Sequence, residues 1–188
     1  EPLKQNFSNM NEYLKKTQVF TSSTGRLFDA VSFLLGFNRK IGYEGEAAIE
    51  LENLIYRKFK LNEDMGIYSY DIVYDNGVYL LDLKSMLSLL VSDWKRKSDK
   101  SLISIRFHQT IVSAFFEIIK KLSSEYAIKR VALSGGVFQN SYILYHLAKK
   151  LEKEHFIWAT NRYSPPNDAC VSIGQCALSF CNFYSKKI

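Results

Sequence analysis

Cysteine is scarce: Cys170, Cys176 and Cys181 are the three in 188 residues, all near the end and with no C-x-x-C pair. An odd number at that spacing excludes a disulfide framework and a zinc knuckle, and fits a reducing, cytoplasmic setting. All three are expected to pack as small hydrophobes. Histidine is equally sparse. No two of His108, His146 and His155 are spaced to face each other on one helix, as a paired metal site requires. Each is expected at a core edge or on the surface. No uninterrupted apolar run reaches membrane-spanning length, and the polar opening Glu1-Pro2-Leu3-Lys4-Gln5 is no signal peptide, so no membrane role is expected. Neither G-x-G-x-x-G nor G-x-x-x-x-G-K-[ST] occurs, which removes the two best-known phosphate loops.

What is present suits a globular domain with a bulky core. Hydrophobic residues make up 47% and charged residues 23%, an ordinary balance, and there are 13 Phe and 12 Tyr. The net charge of +6 could serve an anionic partner. The lysines are scattered over helix backs, however, and the one dense cluster, Lys95-Arg96-Lys97, falls in a polar connector, so nucleic acid is not expected. The absence of an initial Met suggests a piece of something longer, with residues 1–20 as a lead-in segment from an upstream domain and 21–188 as the domain proper.

The chain is organised around residues 130–140, Arg-Val-Ala-Leu-Ser-Gly-Gly-Val-Phe-Gln-Asn. A short apolar run bounded by a turn signal reads as a buried strand. After the glycine pair, Ile143, Leu144, Leu147 and Leu151 mark an amphipathic helix, with Asn140 or Ser141 as N-cap. Strand, glycine turn and helix N-terminus together let a backbone approach phosphate and offer it N–H donors. A second strand, 156–159, is expected beside the first.

Upstream, Thr21-Ser22-Ser23-Thr24 opens a helix ended by Gly36. Asp29 lies inside it among hydrophobic neighbours, where a carboxylate needs solvent, a partner or a polar cleft. A loop containing Gly45 leads to a second helix over 46–59. Glu44 and Glu46 suit its positive end, but Glu50 lies a turn too deep for that reason. Asp75-Asn76-Gly77 between two alternating runs is a hairpin signal. A helix over 85–95 follows, then a long buried one over 101–122, with Leu122 on its apolar face and His108 beside Phe107. Near the end, Ser164-Pro165-Pro166-Asn167-Asp168 precedes a helix over 169–184. Asp168 is either that helix's N-cap or a cleft carboxylate able to bind a metal ion. Gly174 inside the helix is expected to permit close packing.

Four stretches, TSSTGRLFDAV, YEGEAAIELE, LSGGVFQN and PPNDACVSIGQ, occur in that order, with RFH between the second and third. Together they resemble the C-terminal end of the HypF-type hydrogenase maturation carbamoyltransferases, over residues 20–180. The resemblance implies an α/β fold, an RNase H-like lobe of the actin, Hsp70 and sugar-kinase superfamily with an inserted β-hairpin and several helices. Two such lobes close around a nucleotide, and this chain would be the second.

By that resemblance the chain belongs to an enzyme that uses ATP and carbamoyl phosphate, handled by upstream domains, to make carbamoyl-adenylate. The carbamoyl group then passes to the C-terminal cysteine of a HypE-type acceptor protein, for the cyanide ligands of [NiFe]-hydrogenase. Ser134, Gly135, Gly136 and Asn140 would hold the adenylate; Asp29, Gly45 and Glu50 would line the nucleoside side. Asp168 would ligate a divalent metal ion, Fe, Zn or Mg. The resemblance departs at Ala169 and Cys170, where the family usually has glycines, and at the family's paired histidine ligands, which belong to the first lobe. Two alternatives are a small-molecule O-carbamoyltransferase, against which GRLFDA and YEGEAA argue, and a non-catalytic nucleotide-binding domain. The whole reading requires the glycine turn and the Asp168 loop to open on one side of the sheet.

Overall fold

A computed structural model describes residues 21–37 and 41–185, with side chains through 181; the lead-in segment 1–20 lies outside it. The core is built around one helix, α4 (Lys100–Tyr126). Asp99 starts it, its Oδ1 accepting from the Ser101 N–H at 2.8 Å, and Ala127 in the left-handed region ends it. The helix is longer than its sequence pattern predicts because no breaker stands before Ala127. Its first half is buried on several sides at once: Ile103, Ile105, Phe107, Ile111, Val112 and Ala114 are all enclosed. Leu122, expected inside, is exposed. By length and composition α4 could cross a membrane, but burial all round is also what a central core helix needs.

Four helices surround it. α1 (Thr24–Leu34) and α2 (Glu46–Tyr56) pack on each other and α2 packs on α4, while α3 (Lys84–Lys95) and α5 (Ser141–Lys153) cover further sides. The Ser23 hydroxyl caps α1 by accepting from Arg26 N. Ser32, fully buried in α1, donates to the carbonyl oxygen of Ala47 at 2.8 Å and so ties α1 to α2. Phe28, Val31, Leu35, Leu51 and Leu54 from this pair meet Phe107 and Ile111 in one core cluster.

The strands form two separate pairs. β1 (Asp71–Asp75) and β2 (Val78–Asp82) make the antiparallel hairpin, with Asn76 and Gly77 both at positive φ in the turn. Tyr79, at the hairpin, and Tyr70, just before it, reach α4, their hydroxyls donating to Glu125 and Glu117. β3 (Arg130–Leu133) and β4 (Ile157–Thr160) pair in parallel, with α5 as their crossover. Leu133 is buried in the same core cluster as α5, and Val131 and Trp158 pack against it half-buried. Two short 3-10 turns, Gly136–Gln139 and Asp168–Cys170, precede α5 and the last helix, α6 (Val171–Ser185).

α6 departs from expectation. Cys176 and Cys181 are exposed rather than packed inside, and Cys170 is half-buried. A Cβ on Gly174 would meet nothing within 4 Å, so this glycine answers to no close neighbour among the described residues.

Phe107 meets Phe28 edge to face, with ring centroids 4.8 Å apart. Replacing Phe107 with Ala is expected to lower stability by about 3–5 kcal/mol, the usual cost of an emptied aromatic core position. Urea unfolding followed by circular dichroism measures it; a loss below about 1 kcal/mol is too small for a core truncation and contradicts α4 as the centre of the core.

Candidate functional site

The glycine turn leaves the C-terminal end of β3. Gly135 has φ +109° and ψ 155°, a region essentially restricted to glycine. In that pose its amide donates to the carbonyl oxygen of Pro166 at 2.7 Å, fastening the turn to the loop after β4. Further contacts join the two loops. Ser134 Oγ donates to Asn161 Oδ1 at 3.1 Å, and Asn167 Nδ2 donates to Gln139 Oε1 at 3.4 Å. The loops carrying Gly136 and Asp168 therefore lie side by side, at the end of the sheet where the strands of parallel α/β units present their ligand-facing loops. Asp168 is exposed there. It is not the cap foreseen as one option: Asn167 fills that role, its Oδ1 accepting from Ala169 N at 3.2 Å.

The donors available to an anion differ from those the sequence suggests. At the start of α5, Ile143 N is taken by Asn140 Oδ1 at 2.9 Å, and Tyr142 N by Glu52 Oε1 at 3.1 Å. The amides of Gly136 and Val137 open the 3-10 turn, and among the described residues neither has a hydrogen-bond partner. A Cβ built on Gly136 would meet only Asn167 Cβ, at 3.9 Å. The backbone does not require glycine there, and an open approach to the two amides is what glycine preserves.

Behind the turn stands His108, with no exposed surface. Its Nδ1 lies 2.8 Å from the carbonyl oxygen of Ser104, and Asn140 Nδ2 lies 3.0 Å from its Nε2. Burial pulls its pKa down to about 4, only partly opposed by the Ser104 bond, so the ring is neutral at pH 7. A core-edge or surface position was expected; the ring is instead at the centre, edge-on to Phe28, Phe107 and Tyr142.

The α1–α2 residues are placed less decisively. α1 touches the 3-10 turn. Asp29, on α1, is partly exposed and pairs with Arg26 at 3.4 Å. Gly45, at φ +82°, precedes α2, and Glu50 pairs with Arg57 at 3.4 Å. No hydrogen bond or ion pair among the described residues joins Asp29, Gly45 or Glu50 to the glycine turn. The carboxylate of α2 that does reach α5 is Glu52, which sequence reasoning passed over. Its signal was legible, since 48, 52 and 55 share one helical face with the apolar stripe.

Nor do the described residues complete a metal site. No three His, Cys, Asp or Glu side chains gather among them, and Asp168 offers a single carboxylate.

Comparison with known proteins places this geometry in context. A family model described as "Carbamoyltransferase, Kae1-like Domain, second subdomain" matches residues 2–175. The chain is 32% identical over 173 residues to a carbamoyltransferase HypF from Synechocystis sp., covering 90% of this chain and 21% of that protein. It is 33% identical over 156 residues to a probable carbamoyltransferase HypF of Methanocaldococcus jannaschii, covering 82% and 19%. Among solved structures, a full-length HypF in its phosphate- and nucleotide-bound form superposes with a TM-score of 0.74 at 37% identity, over 82% of this chain and 20% of that one. The chain thus spans about a fifth of the length of these relatives.

Glu52 yields a test of the packing beneath the site. Desolvation raises its carboxyl above the usual 4.5, more than the Tyr142 amide and the Tyr56 hydroxyl lower it. A raised folded-state value means the fold favours the protonated form. Its contribution is complete below the unfolded value and is lost as pH rises through the folded one. Gln keeps the acceptor for Tyr142 without the charge. Melting curves of Glu52→Gln against wild type should show a difference that moves in favour of the variant from pH 4 to pH 8. A constant difference would show that Glu52 keeps its ordinary acidity.

Proposed function

The chain belongs to the HypF-type carbamoyltransferases, as the second subdomain of their Kae1-like domain, and on that premise we propose that it forms one wall of a cleft holding carbamoyl-adenylate. It is an α/β lobe of the actin- and Hsp70-like fold. The observation that carries the proposal is the junction of the two loops by the Gly135–Pro166 hydrogen bond, which sets the turn carrying the Gly136 and Val137 amides beside the loop that carries Asp168. A nucleotide phosphate approaching that edge meets two backbone donors and no side chain on Gly136. The HypF structure solved with phosphate and nucleotide supports the ligand class.

The reaction proposed is acyl transfer from a mixed anhydride. The sulfur of the C-terminal cysteine of a HypE-type acceptor attacks the carbamoyl carbon; a C–S bond forms, the bond to the AMP oxygen breaks, and the thiol proton is released. The product serves cyanide ligand synthesis in hydrogenase maturation, in the cytoplasm. Amides fixed beforehand by the turn stabilise charge on the departing phosphate without reorganising. Ser134, Gly135, Gly136 and Asn140 hold the adenylate, with the glycines near the phosphate. Asp29, Gly45 and Glu50 serve the nucleoside side, with the Arg26 and Arg57 pairs as exposed contacts that a ligand can displace at small cost. Asp168 is the residue of this lobe that would hold a divalent ion, which when bound would neutralise phosphate charge.

Gly136 gives the sharpest test. Gly136→Ala should leave urea stability within about 0.5 kcal/mol of wild type, because the site has room and no positive φ. In a family-length enzyme carrying this lobe it should weaken ATP binding, measured by calorimetry, at least about tenfold. Unchanged ATP affinity would remove the phosphate from this turn. The Asp168→Ala variant of the same enzyme should lose most carbamoyl transfer to the acceptor; transfer at the wild-type rate sinks the metal role. The isolated lobe should not hydrolyse carbamoyl-adenylate.

A further inference from the structure

We infer that His108 is a positioning residue that fixes which way the Asn140 amide faces, and thereby presents one amide N–H to the bound nucleotide. The inference rests on the reading above that Asn140 meets the ligand. It follows from donor and acceptor accounting along one chain of atoms. The Ser104 carbonyl oxygen can only accept, so His108 Nδ1, 2.8 Å away, carries the hydrogen. In the neutral ring Nε2 is then a bare acceptor. The atom of Asn140 facing it at 3.0 Å must be the NH2 group. The carbonyl Oδ1 is consequently turned to Ile143 N, 2.9 Å away, as the cap of α5. Reversing the amide would set oxygen against a lone pair and NH2 against an N–H, breaking both bonds.

An asparagine capping a helix needs only its oxygen. The histidine adds a constraint on the nitrogen, and it does so from a fully enclosed position, so it does not itself reach a ligand. Asn140 Nδ2 carries two hydrogens, and His108 takes one. The second has no partner among the described residues, and Asn140 is half-buried at the end of the glycine turn. That hydrogen is the donor for an acceptor oxygen of the nucleotide, on phosphate or ribose. The Nδ1 side of the ring is held by the Ser104 backbone carbonyl of α4 itself, and the Ser104 hydroxyl separately ties that turn of α4 to the Leu51 carbonyl oxygen of α2.

The test compares His108→Gln with His108→Leu in a family-length enzyme carrying this lobe, using ATP as the probe. The Gln side chain carries an acceptor to the Nε2 position; Leu fills the volume without one. Both lose the bond to Ser104, so both should show a similar loss of urea stability. ATP affinity should fall about tenfold in His108→Leu, the size of one hydrogen bond, and recover to within about threefold in His108→Gln. Wild-type affinity in the Leu variant, or no recovery in the Gln variant, overturns the inference. Asn140→Ala separates the two levels. If it loses ATP binding while His108→Leu keeps it, the positioning role alone is wrong; if it binds ATP normally, the nucleotide reading of Asn140 falls and takes this inference with it. Should His108→Leu fail to fold, long-range 15N NMR of the wild-type imidazole decides. An unprotonated Nε2 that shifts in Asn140→Ala is expected, and a protonated Nε2 refutes the scheme.

Discussion

The structure depends on polar groups buried along α4, which an apolar core tolerates only when each has a partner. Ser104 donates to Leu51 of α2, and His108 bridges Ser104 to Asn140 at the start of α5. Thr110 donates to Arg106 at 2.6 Å while accepting the amide of Tyr68 at 2.9 Å. A buried donor or acceptor left alone costs about 1–3 kcal/mol, so each bond rejects the wrong rotation or register of its neighbour. Leucine and isoleucine contacts between helices permit sliding; these hydrogen bonds do not. α2, α4, α5 and the extended segment before the hairpin are therefore locked to one another.

That locking explains the order of the glycine turn. α5 is held at its first turn from below, by Asn140 through His108 and by Glu52 at the Tyr142 amide. The turn is held from the side, by Gly135 at Pro166 and by Ser134 at Asn161. What remains uncommitted between them, among the described residues, is the pair of backbone amides of Gly136 and Val137 and the second hydrogen of Asn140 Nδ2. The α5 N-terminus itself offers an incoming anion less than a bare helix end would, because the first-turn amides of Ser141 and Tyr142 already face Glu52 and that of Ile143 faces Asn140.

The hairpin and α6 stand apart from this polar scaffold. One hairpin face leans on α4 through Tyr79, while Val73 and Leu80, paired on the other face, are exposed. α6 likewise exposes Val171, Ile173 and Leu178. The dense core ends near Ala114, and the second half of α4 carries lighter packing.

Much was legible in the sequence because short-range rules decide it. The Asn-Gly hairpin, the serine-rich start of α1, the strand, glycine pair and helix at 130–153, and the four ordered stretches that carry the family resemblance are local patterns set by backbone sterics and spacing. Even the neighbourhood of the Asp168 loop and the glycine turn follows from two parallel strands, whose C-terminal loops must share an edge. Side-chain partners at long range were not legible. Nothing near position 108 reveals that its ring meets Asn140, 32 residues on, nor does position 52 announce the Tyr142 amide, 90 residues away. Helical period says which face a residue occupies, and only the packing of three helices decides what stands opposite it. The chain itself wrote the elements and the family; the tertiary structure chose which polar groups are paired in the interior, because that depends on distances that no local rule contains.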